Sequence, residues 1–464
     1  MPVLSALYAK YHMATPSAEA DAGEVVGEMP TKTSIIRHRP GLTAALALAG
    51  VLAAGPAFAE SGDAAGHVAW ILTSSVLVLF MTLPGLALFY GGLLHAKNLL
   101  SIMMQCFAIC CVVSLLWVAV GYSLAFDGDG ALIGGLHRMF LAGASGTFGT
   151  TPLPETAFAL FQMTFAVITP ALIVGAFAER VNFTFVIAFS ALWLLGVYVP
   201  VAHWMWGGGW LAAMGALDFA GGIVVHTTAG VSALVLAIMI GRRRGFPHGL
   251  TPPHSPGLTM TGAGMLWVGW FGFNGGSALA ADSAAASAII ATHLAASAGA
   301  MTWIAAEWMK TGKPTSIGIA TGCVAGLATI TPMAGFVGPG GAMLVGIAAG
   351  LVCYAATLFV KHRLEIDDSL DVFAVHGCGG MLGSLLLPVF ALTAFAGTGA
   401  SDGKLFGMLG LQALAVVVTL VWSALATVAI AWLLGFVTPL RVGAEEEYSG
   451  LDLATHGERA YENA

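Results

Sequence analysis

The sequence predicts an all-α polytopic membrane protein of eleven transmembrane helices, an inverted repeat of two five-helix halves plus one extra helix. Three observations carry this. The 464 residues are 58% hydrophobic and only 9% charged, where a soluble domain carries roughly 25% charge. Apolar stretches long enough to cross a bilayer recur from His67 onward; a crossing takes about 20 such residues. A segment starting at Asp218 returns in the same order at Asp368.

Composition narrows the class further. Mean hydropathy is +0.87, and the 61 glycines fit membrane helices, where glycine is commoner than in soluble ones. No long polar stretch is left for a second soluble domain. Between Gly66 and the C-terminus no basic run exceeds Arg242-Arg243-Arg244, which argues against nucleic acid as a partner. Cys106, Cys110, Cys111, Cys323, Cys353 and Cys378 all fall inside apolar segments. They read as small hydrophobes, without Cys-x-x-Cys metal spacing or a loop cysteine for a disulfide.

The first 59 residues read as an N-terminal segment with a signal peptide. Lys32, Arg37 and Arg39 are its basic region, Leu42 to Ala54 its apolar region, and Ala57-Phe58-Ala59 a small-x-small cleavage site before Glu60. Residues 1–28 are long ahead of such a signal, so Met29 is a candidate start. The membrane domain then covers 60–437 and a polar tail 438–464.

Spans are expected near 68–92, 98–126, 155–178, 181–200, 218–241, 257–280, 284–308, 315–334, 339–361, 370–396 and 405–437. Cleavage after Ala59 leaves the mature N-terminus outside, and eleven spans put the C-terminus inside. Charge tests this independently. The inside segments then hold Lys97, Arg180, Arg242, Arg243, Arg244, Lys310, Lys313, Lys361, Arg363, Arg441 and Arg459, and the outside loops only Arg138 and Lys404. That asymmetry satisfies the positive-inside rule. In a bacterial inner membrane, outside is the periplasm.

The repeat carries the chemistry. Asp218-Phe-Ala-Gly-Gly-Ile-Val-Val-His226 with Gly230 matches Asp368-Ser-Leu-Asp-Val-Phe-Ala-Val-His376 with Gly380. Both read Asp, seven residues, His, three residues, Gly. Ala166-Val-Ile-Thr169-Pro170 matches Ala328-Thr-Ile-Thr331-Pro332, and Phe89-Tyr-Gly91-Gly92 matches Phe273-Asn-Gly275-Gly276 more weakly. Spans one to five therefore repeat as six to ten. Five is odd, so the second copy is inverted, and His226 and His376 should meet near the pseudo-axis at mid-membrane.

A histidine inside a membrane helix is a functional candidate by default. The bland alternative is a core histidine satisfied by a carbonyl; two at matching repeat positions weigh against it. Two neutral imidazoles can share a hydrogen bond, leaving one N–H and one lone pair for the lumen. Such a pair suits a small polar solute that both donates and accepts, or a proton relay. A metal site needs three or four ligands, and no further His, Cys or carboxylate is placed to join. Asp218 and Asp368 sit at the first turns of their helices, where a carboxylate either caps free N–H groups or contacts a cation. Asp371 has no repeat partner and reads as a loop-edge residue. Gly338-Pro-Gly340-Gly341 is a turn opening span nine rather than a phosphate loop, because no strand precedes it. No cofactor motif is evident. Gly346-x-x-x-Gly350 is a close-packing face, within the chain or between subunits.

From about residue 66 to 464, the Asp218–His226 segment and its continuation Thr-Thr-Ala-Gly230 resemble the signature of the ammonium transporter family, Amt/Mep/Rh, in its bacterial Amt-type branch. The same resemblance covers Gly-Ala-Phe-Ala-Glu179-Arg180, Trp206-Gly-Gly-Gly209, Gly269-Trp270-Phe271-Gly-Phe273-Asn-Gly-Gly-Ser277 and Asp371-Val-Phe-Ala-Val-His376-Gly. It also covers the tail Gly450-Leu-Asp-Leu-Ala-Thr-His456-Gly-Glu458-Arg-Ala-Tyr461. The resemblance implies that Trp206 and Ser277 recruit ammonium at an outer site, that Phe165 and Phe273 form a gate below it, and that His226 and His376 line the lumen. It implies structural support of the outer site by Asp218. By composition alone Trp206 could equally be an interface-belt aromatic, and Phe165 and Phe273 plain core residues.

The resemblance also implies a homotrimer with one pore per subunit. It implies a tail that packs on a neighbouring subunit and a cytoplasmic face that receives a PII-type signalling protein. On composition the tail could be a solvated end. If it folds, Gly450 and Gly457 should permit turns, and Asp452 and Glu458 should meet basic loops such as Arg242–Arg244. The leading reading is thus an ammonium/ammonia channel or transporter. The alternatives are a membrane ammonium sensor and an Rh-like gas channel, the latter weakened by Trp206. An enzyme is the least expected.

Overall fold

The computed structural model describes residues 62–249 and 251–462. The signal-like segment, with its cleavage site, lies outside the described residues. Among these residues all regular structure is helical apart from isolated bridges. Ten helices among the described residues are long and apolar enough to cross a membrane: α1 Ala64–Leu93, α2 Ala96–Phe126, α3 Glu155–Ala176, α4 Phe183–Ala213, α5 Gly222–Ile240, α7 Ser283–Thr311, α8 Ser316–Met333, α9 Pro339–Arg363, α10 Phe373–Phe390 and α11 Leu405–Leu434. The sequence reading expected eleven. The helix that does not qualify is α6, Pro256–Gly276, whose 21 residues carry many glycines and Asn274.

The inversion of the two halves is visible in which residues touch. Along α1 and α6, Gly262 abuts Phe89, Gly269 abuts Met81 and Gly272 abuts Ser74, so the two equivalent helices run antiparallel. The same holds for α5 and α10. A side chain at Gly230 would strike the backbone of Gly377, and one at Gly380 would strike His226 and the carbonyl of Gly222. Each repeat's glycine, four residues after its histidine, thus lets the other repeat's histidine-bearing turn approach. That is the physical meaning of the His-x-x-x-Gly spacing.

Both histidines sit on π-helical turns, Gly222–Thr227 and Phe373–Gly377. Such turns are rare and concentrate at functional sites. The expected fourth span ended at Pro200, but α4 continues to Trp206 and, after a break at Gly207–Gly209, to Ala213. A π turn at Leu194–Tyr198 precedes Pro200, which sits at the start of the next α-helical stretch, where its missing N–H costs no bond. Gly346 and Gly350 pack against Ala295 and Thr302 of α7, so this close-packing face lies within the chain.

The extra helix α11 buries Met408, Gln412, Ala415, Thr419, Ser423, Thr427 and Ala431 as one stripe and exposes Phe406, Val417, Val421, Leu425 and Trp432 on the other side. The polar residues face inward and the large apolar ones outward, as lipid requires. Thr427 donates to Ser232 at 2.8 Å, and Trp193 donates to the same hydroxyl at 2.9 Å.

The tail is folded rather than solvated. It forms α12, Ala444–Ser449, and a final turn, Asp452–His456. Gly450 and Gly457 have φ of 97° and 71°, as expected of turn glycines. The expected contact of Asp452 and Glu458 with Arg242–Arg244 is not what forms. Glu447 pairs with Arg441 at 2.7 Å and accepts from the Arg244 N–H at 3.1 Å. Asp452 instead caps α2, accepting from Leu100 N at 3.0 Å and Ser101 N at 2.7 Å. The reason is reach. Val442 is tied to Arg180 at 3.1 Å, so α12 begins beside the α5–α6 loop and it is Glu447 that reaches the loop, while Glu446 caps its own helix at Gly443.

Candidate functional site

The outer end of the site is built from a cap. Asp218 lies before α5 and accepts four N–H bonds, from Gly221 (2.9 Å) and Gly222 (2.7 Å) on one oxygen and from Ile223 (2.8 Å) and Val224 (3.0 Å) on the other. Asp368 does the same before α10 with Val372 at 3.0 Å and Phe373 at 2.7 Å. Both repeat aspartates are therefore helix caps in geometry. The backbone carbonyl of Asp218 accepts the indole N–H of Trp206 at 2.8 Å. The residue that starts α5 thereby also orients the aromatic of α4.

Trp206, Ser277, Phe165 and Asp218 line one cavity of about 270 Å³, together with Gln162, Phe148 and Phe219. The Ser277 hydroxyl donates to the Phe273 carbonyl at 2.8 Å, which leaves its oxygen lone pairs available. Below, the rings of Phe165 and Phe273 stand 4.2 Å apart at 34°, and both are almost fully buried. Trp206 meets Phe165 edge-on at 6.0 Å.

Past this pair lies a narrow space of about 10 Å³, room for roughly one water. Its walls are apolar, including Phe89, Ile168, Leu172 and Val324, apart from His226 and His376. The two imidazoles face each other with Nδ1 atoms 3.2 Å apart and rings 5.2 Å apart at 22°. Among the described residues the Nε2 of His226 has no hydrogen-bond partner. The indole of Trp270 stacks on His226 at 5.5 Å and is itself held by Thr331 at 2.9 Å. Thr331 belongs to the second repeated pair, so the Thr-Pro match of α3 and α8 has a local job in one half.

On the other side of the lumen a cavity of about 190 Å³ is lined by His95, Glu179, Arg243, Lys361 and Asp371. Asp371, read as a loop-edge residue, pairs with Lys361 at 2.8 Å. A buried ion network walls this cavity. Arg243 reaches Glu179 at 2.9 Å and Asp367 at 2.8 Å. Arg180, fully buried, donates to Gly241, Ser369 and the Asp367 carbonyl. Glu179 also accepts from His95 and Asn98. Burial alone would push the Glu179 carboxyl up, but the His95 bonds and the Arg243 charge hold it down at about 2.

All six residues expected at the outer site, gate and lumen fall on this one line. Of the two repeat aspartates, Asp218 lines the outer cavity, whereas Asp368 caps α10 away from both the outer cavity and the lumen. Sequence reasoning missed Gln162 and Asp367 and gave Trp270 no role. Trp270 stands in a stretch that resembles the family, and its partner Thr331 in a repeated pair; for the other two no local pattern existed.

The model of the Ammonium Transporter Family matches residues 69–461. The chain belongs to the ammonium transporter family. Among its relatives, the Ammonium transporter of Bacillus subtilis (strain 168) is 45% identical over 405 residues, 86% of this chain and 99% of that one. Ammonium transporter Amt1 of Archaeoglobus fulgidus is 45% identical over 400 residues, 85% and 99% of the two chains. Among solved structures, one titled Sensor Amt Protein superposes with a TM-score of 0.80 at 31% identity, covering 85% of this chain and 99% of that chain. Mep2 of Saccharomyces cerevisiae gives 0.73 at 34% identity, covering 82% and 88%. Membership fits the multi-pass helical fold and the inverted halves, and gives the line of cavities a family context.

Proposed function

We propose that this chain moves ammonium across the membrane by recruiting the cation at Trp206 and Ser277 and passing it, as ammonia, between Phe165 and Phe273 and along His226 and His376. The observation that carries this is the paired imidazoles, one from each inverted half, set in an apolar lumen barely wider than a water. A tryptophan face attracts a cation, and the Ser277 oxygen accepts an N–H bond. Selectivity follows from desolvation. A bare ion is expensive in such a lumen; ammonium can shed a proton and cross neutral, and potassium cannot. Asp218 supports the outer site as a cap, and Asp368 does the equivalent for α10.

Further parts of the reading go with it. Helix α6 crosses as well, since its 21 residues span about 32 Å and it runs along α1, which gives eleven crossings. Residues 1–59 are an N-terminal segment cleaved before Glu60, 60–437 the membrane domain and 438–464 a cytoplasmic tail, in a bacterial inner membrane with the mature N-terminus periplasmic. The protein is a transporter rather than an enzyme and works as a homotrimer.

Uptake of labelled methylammonium by the full chain, in cells lacking such transporters, tests the reading. Wild type should take it up saturably. Trp206→Leu should raise the half-saturating concentration by about two- to thirtyfold, the worth of one cation–π contact of about 0.5–2 kcal/mol, with maximal flux kept. An unchanged concentration dependence would remove Trp206 from the outer site. The second reading is a sensor, favoured by the 0.80 superposition on a sensor Amt protein; binding of ammonium with no uptake would select it.

The tail is proposed as the coupling element and as part of the docking face for a PII-type protein. Its bonds to α2 and to the α5–α6 loop support this. Truncation after Gly443 removes Glu447 and Asp452 together. Uptake should fall and a PII-type partner should be lost from pull-downs. Full uptake with full capture would reduce the tail to packing.

A further inference from the structure

The extra helix α11 has no counterpart in the repeat, yet its glutamine reaches the outer site. Gln412 is fully buried. Its Nε2 donates to the Leu217 carbonyl at 2.8 Å and to the Ser384 carbonyl of α10 at 3.2 Å, and its Oε1 accepts from the Leu217 N–H at 2.9 Å. Both backbone groups of Leu217 are therefore satisfied by one side chain from a helix 195 residues away. The next residue is Asp218, whose carbonyl holds the Trp206 indole at 2.8 Å. The residue after that, Phe219, ties its N–H to the Pro332 carbonyl at 2.9 Å.

We propose that Gln412 is a positioning residue of the outer cation site: by fixing Leu217 it aims the Asp218 carbonyl, and through it the Trp206 indole, and so sets the ammonium concentration at which the protein loads. This rests on the reading of Trp206 as the recruitment residue. The physical argument is local. Without the carboxamide, a buried N–H and C=O lose their partners in a low-polarity setting, and the strand of chain must shift to satisfy them. The four N–H bonds of the Asp218 carboxylate still hold the start of α5, so the shift falls on the chain just before it, including the Asp218–Phe219 peptide that carries the Trp206 acceptor, rather than on the lumen. Loading should change while passage does not. The extra helix then has a function at the site beyond covering the bundle.

The test is a double-mutant cycle on the full chain, with labelled methylammonium uptake normalised to folded protein in the membrane. Wild type, Gln412→Leu, Trp206→Leu and the double variant are compared. Gln412→Leu is expected to raise the half-saturating concentration about threefold, part of one cation–π contact, with maximal flux per molecule nearly unchanged. In the Trp206→Leu background it should add nothing, because the two act through one contact. A merely structural role would lower the amount of folded protein and leave half-saturation alone. Should Gln412→Leu fail to fold, Gln412→Asn, one methylene short of Leu217, runs in the same cycle with the same expected shift. If Trp206→Leu shifts loading and the Gln412 variants do not, or if they shift it equally in both backgrounds, the positioning role is overturned and the outer site stands. If Trp206→Leu itself shifts nothing, the recruitment reading fails and this inference falls with it.

Discussion

Replacing either lumen histidine by alanine is expected to abolish ammonium-selective uptake while the protein still reaches the membrane folded. Each ring is the other's hydrogen-bond partner at 3.2 Å, so a single substitution also strips the ring that remains. A buried group left without its partner costs about 1–3 kcal/mol, roughly five- to 150-fold in a rate that depends on it. The void matters as much. The lumen beside the pair measures about 10 Å³, and losing an imidazole opens space for several waters. Water in the lumen lowers the desolvation barrier that separates ammonium from potassium. The expected phenotype is loss of methylammonium selectivity with potassium admitted, more severe for His226→Ala because that ring also supports Trp270 and Phe273. Methylammonium uptake and potassium uptake are measured side by side. Two single variants that transport like wild type and still reject potassium would end the twin-histidine reading.

What could be read in advance followed distance along the chain. The Asp–His–Gly spacing lies within thirteen residues in each copy, and each part of it has a local cause: a cap, a π turn and a close crossing. A pattern of that kind survives in sequence because one helix end carries it. The inversion was legible from an odd number of spans per copy. Gln412 and Asp367 were not, because their partners sit 195 and 187 residues away and no repeat marks them. The fourth span, expected at 181–200, extends to Ala213 because a π turn before Pro200 lets the helix continue past it. The count of apolar helices fell to ten because α6 trades side chains for glycines where it presses on α1. The tail's acidic residues were assigned to the wrong partners because their reach depends on where Val442 is anchored.

Removing Arg243 is expected to destabilise the protein strongly, by an amount that shrinks in acid. Its guanidinium neutralises two buried carboxylates at once, Glu179 at 2.9 Å and Asp367 at 2.8 Å. Breaking a buried pair by deleting one partner costs about 3–5 kcal/mol, and Arg180 at 3.7 Å from Asp367 compensates only in part. In wild type, burial tends to raise the Glu179 carboxyl, but the His95 bonds and Arg243 together hold it at about 2, below its ordinary 4.5. A carboxylate lowered in the folded state stabilises the fold above its ordinary value. That stability is lost as pH falls from about 4.5 towards about 2. Asp367 is lowered as well, its burial outweighed by its bonds to Arg243 and by the Arg243 and Arg180 charges, so it adds to the same loss. In Arg243→Met that charge is gone, while the His95 bonds to Glu179 and the Arg180 charge near Asp367 remain. Both carboxyls then move up from their wild-type positions, so the variant loses less stability on acidification than wild type does. The melting temperature of purified protein in one detergent should therefore drop most at pH 7, and the gap to wild type should narrow below about pH 4.5. Arg243→Lys, which keeps the charge and loses the fork, should fall between the two. A gap that stays constant from pH 7 to pH 4 would show that Arg243 acts through packing and that the ion network does not hold the inner cavity together.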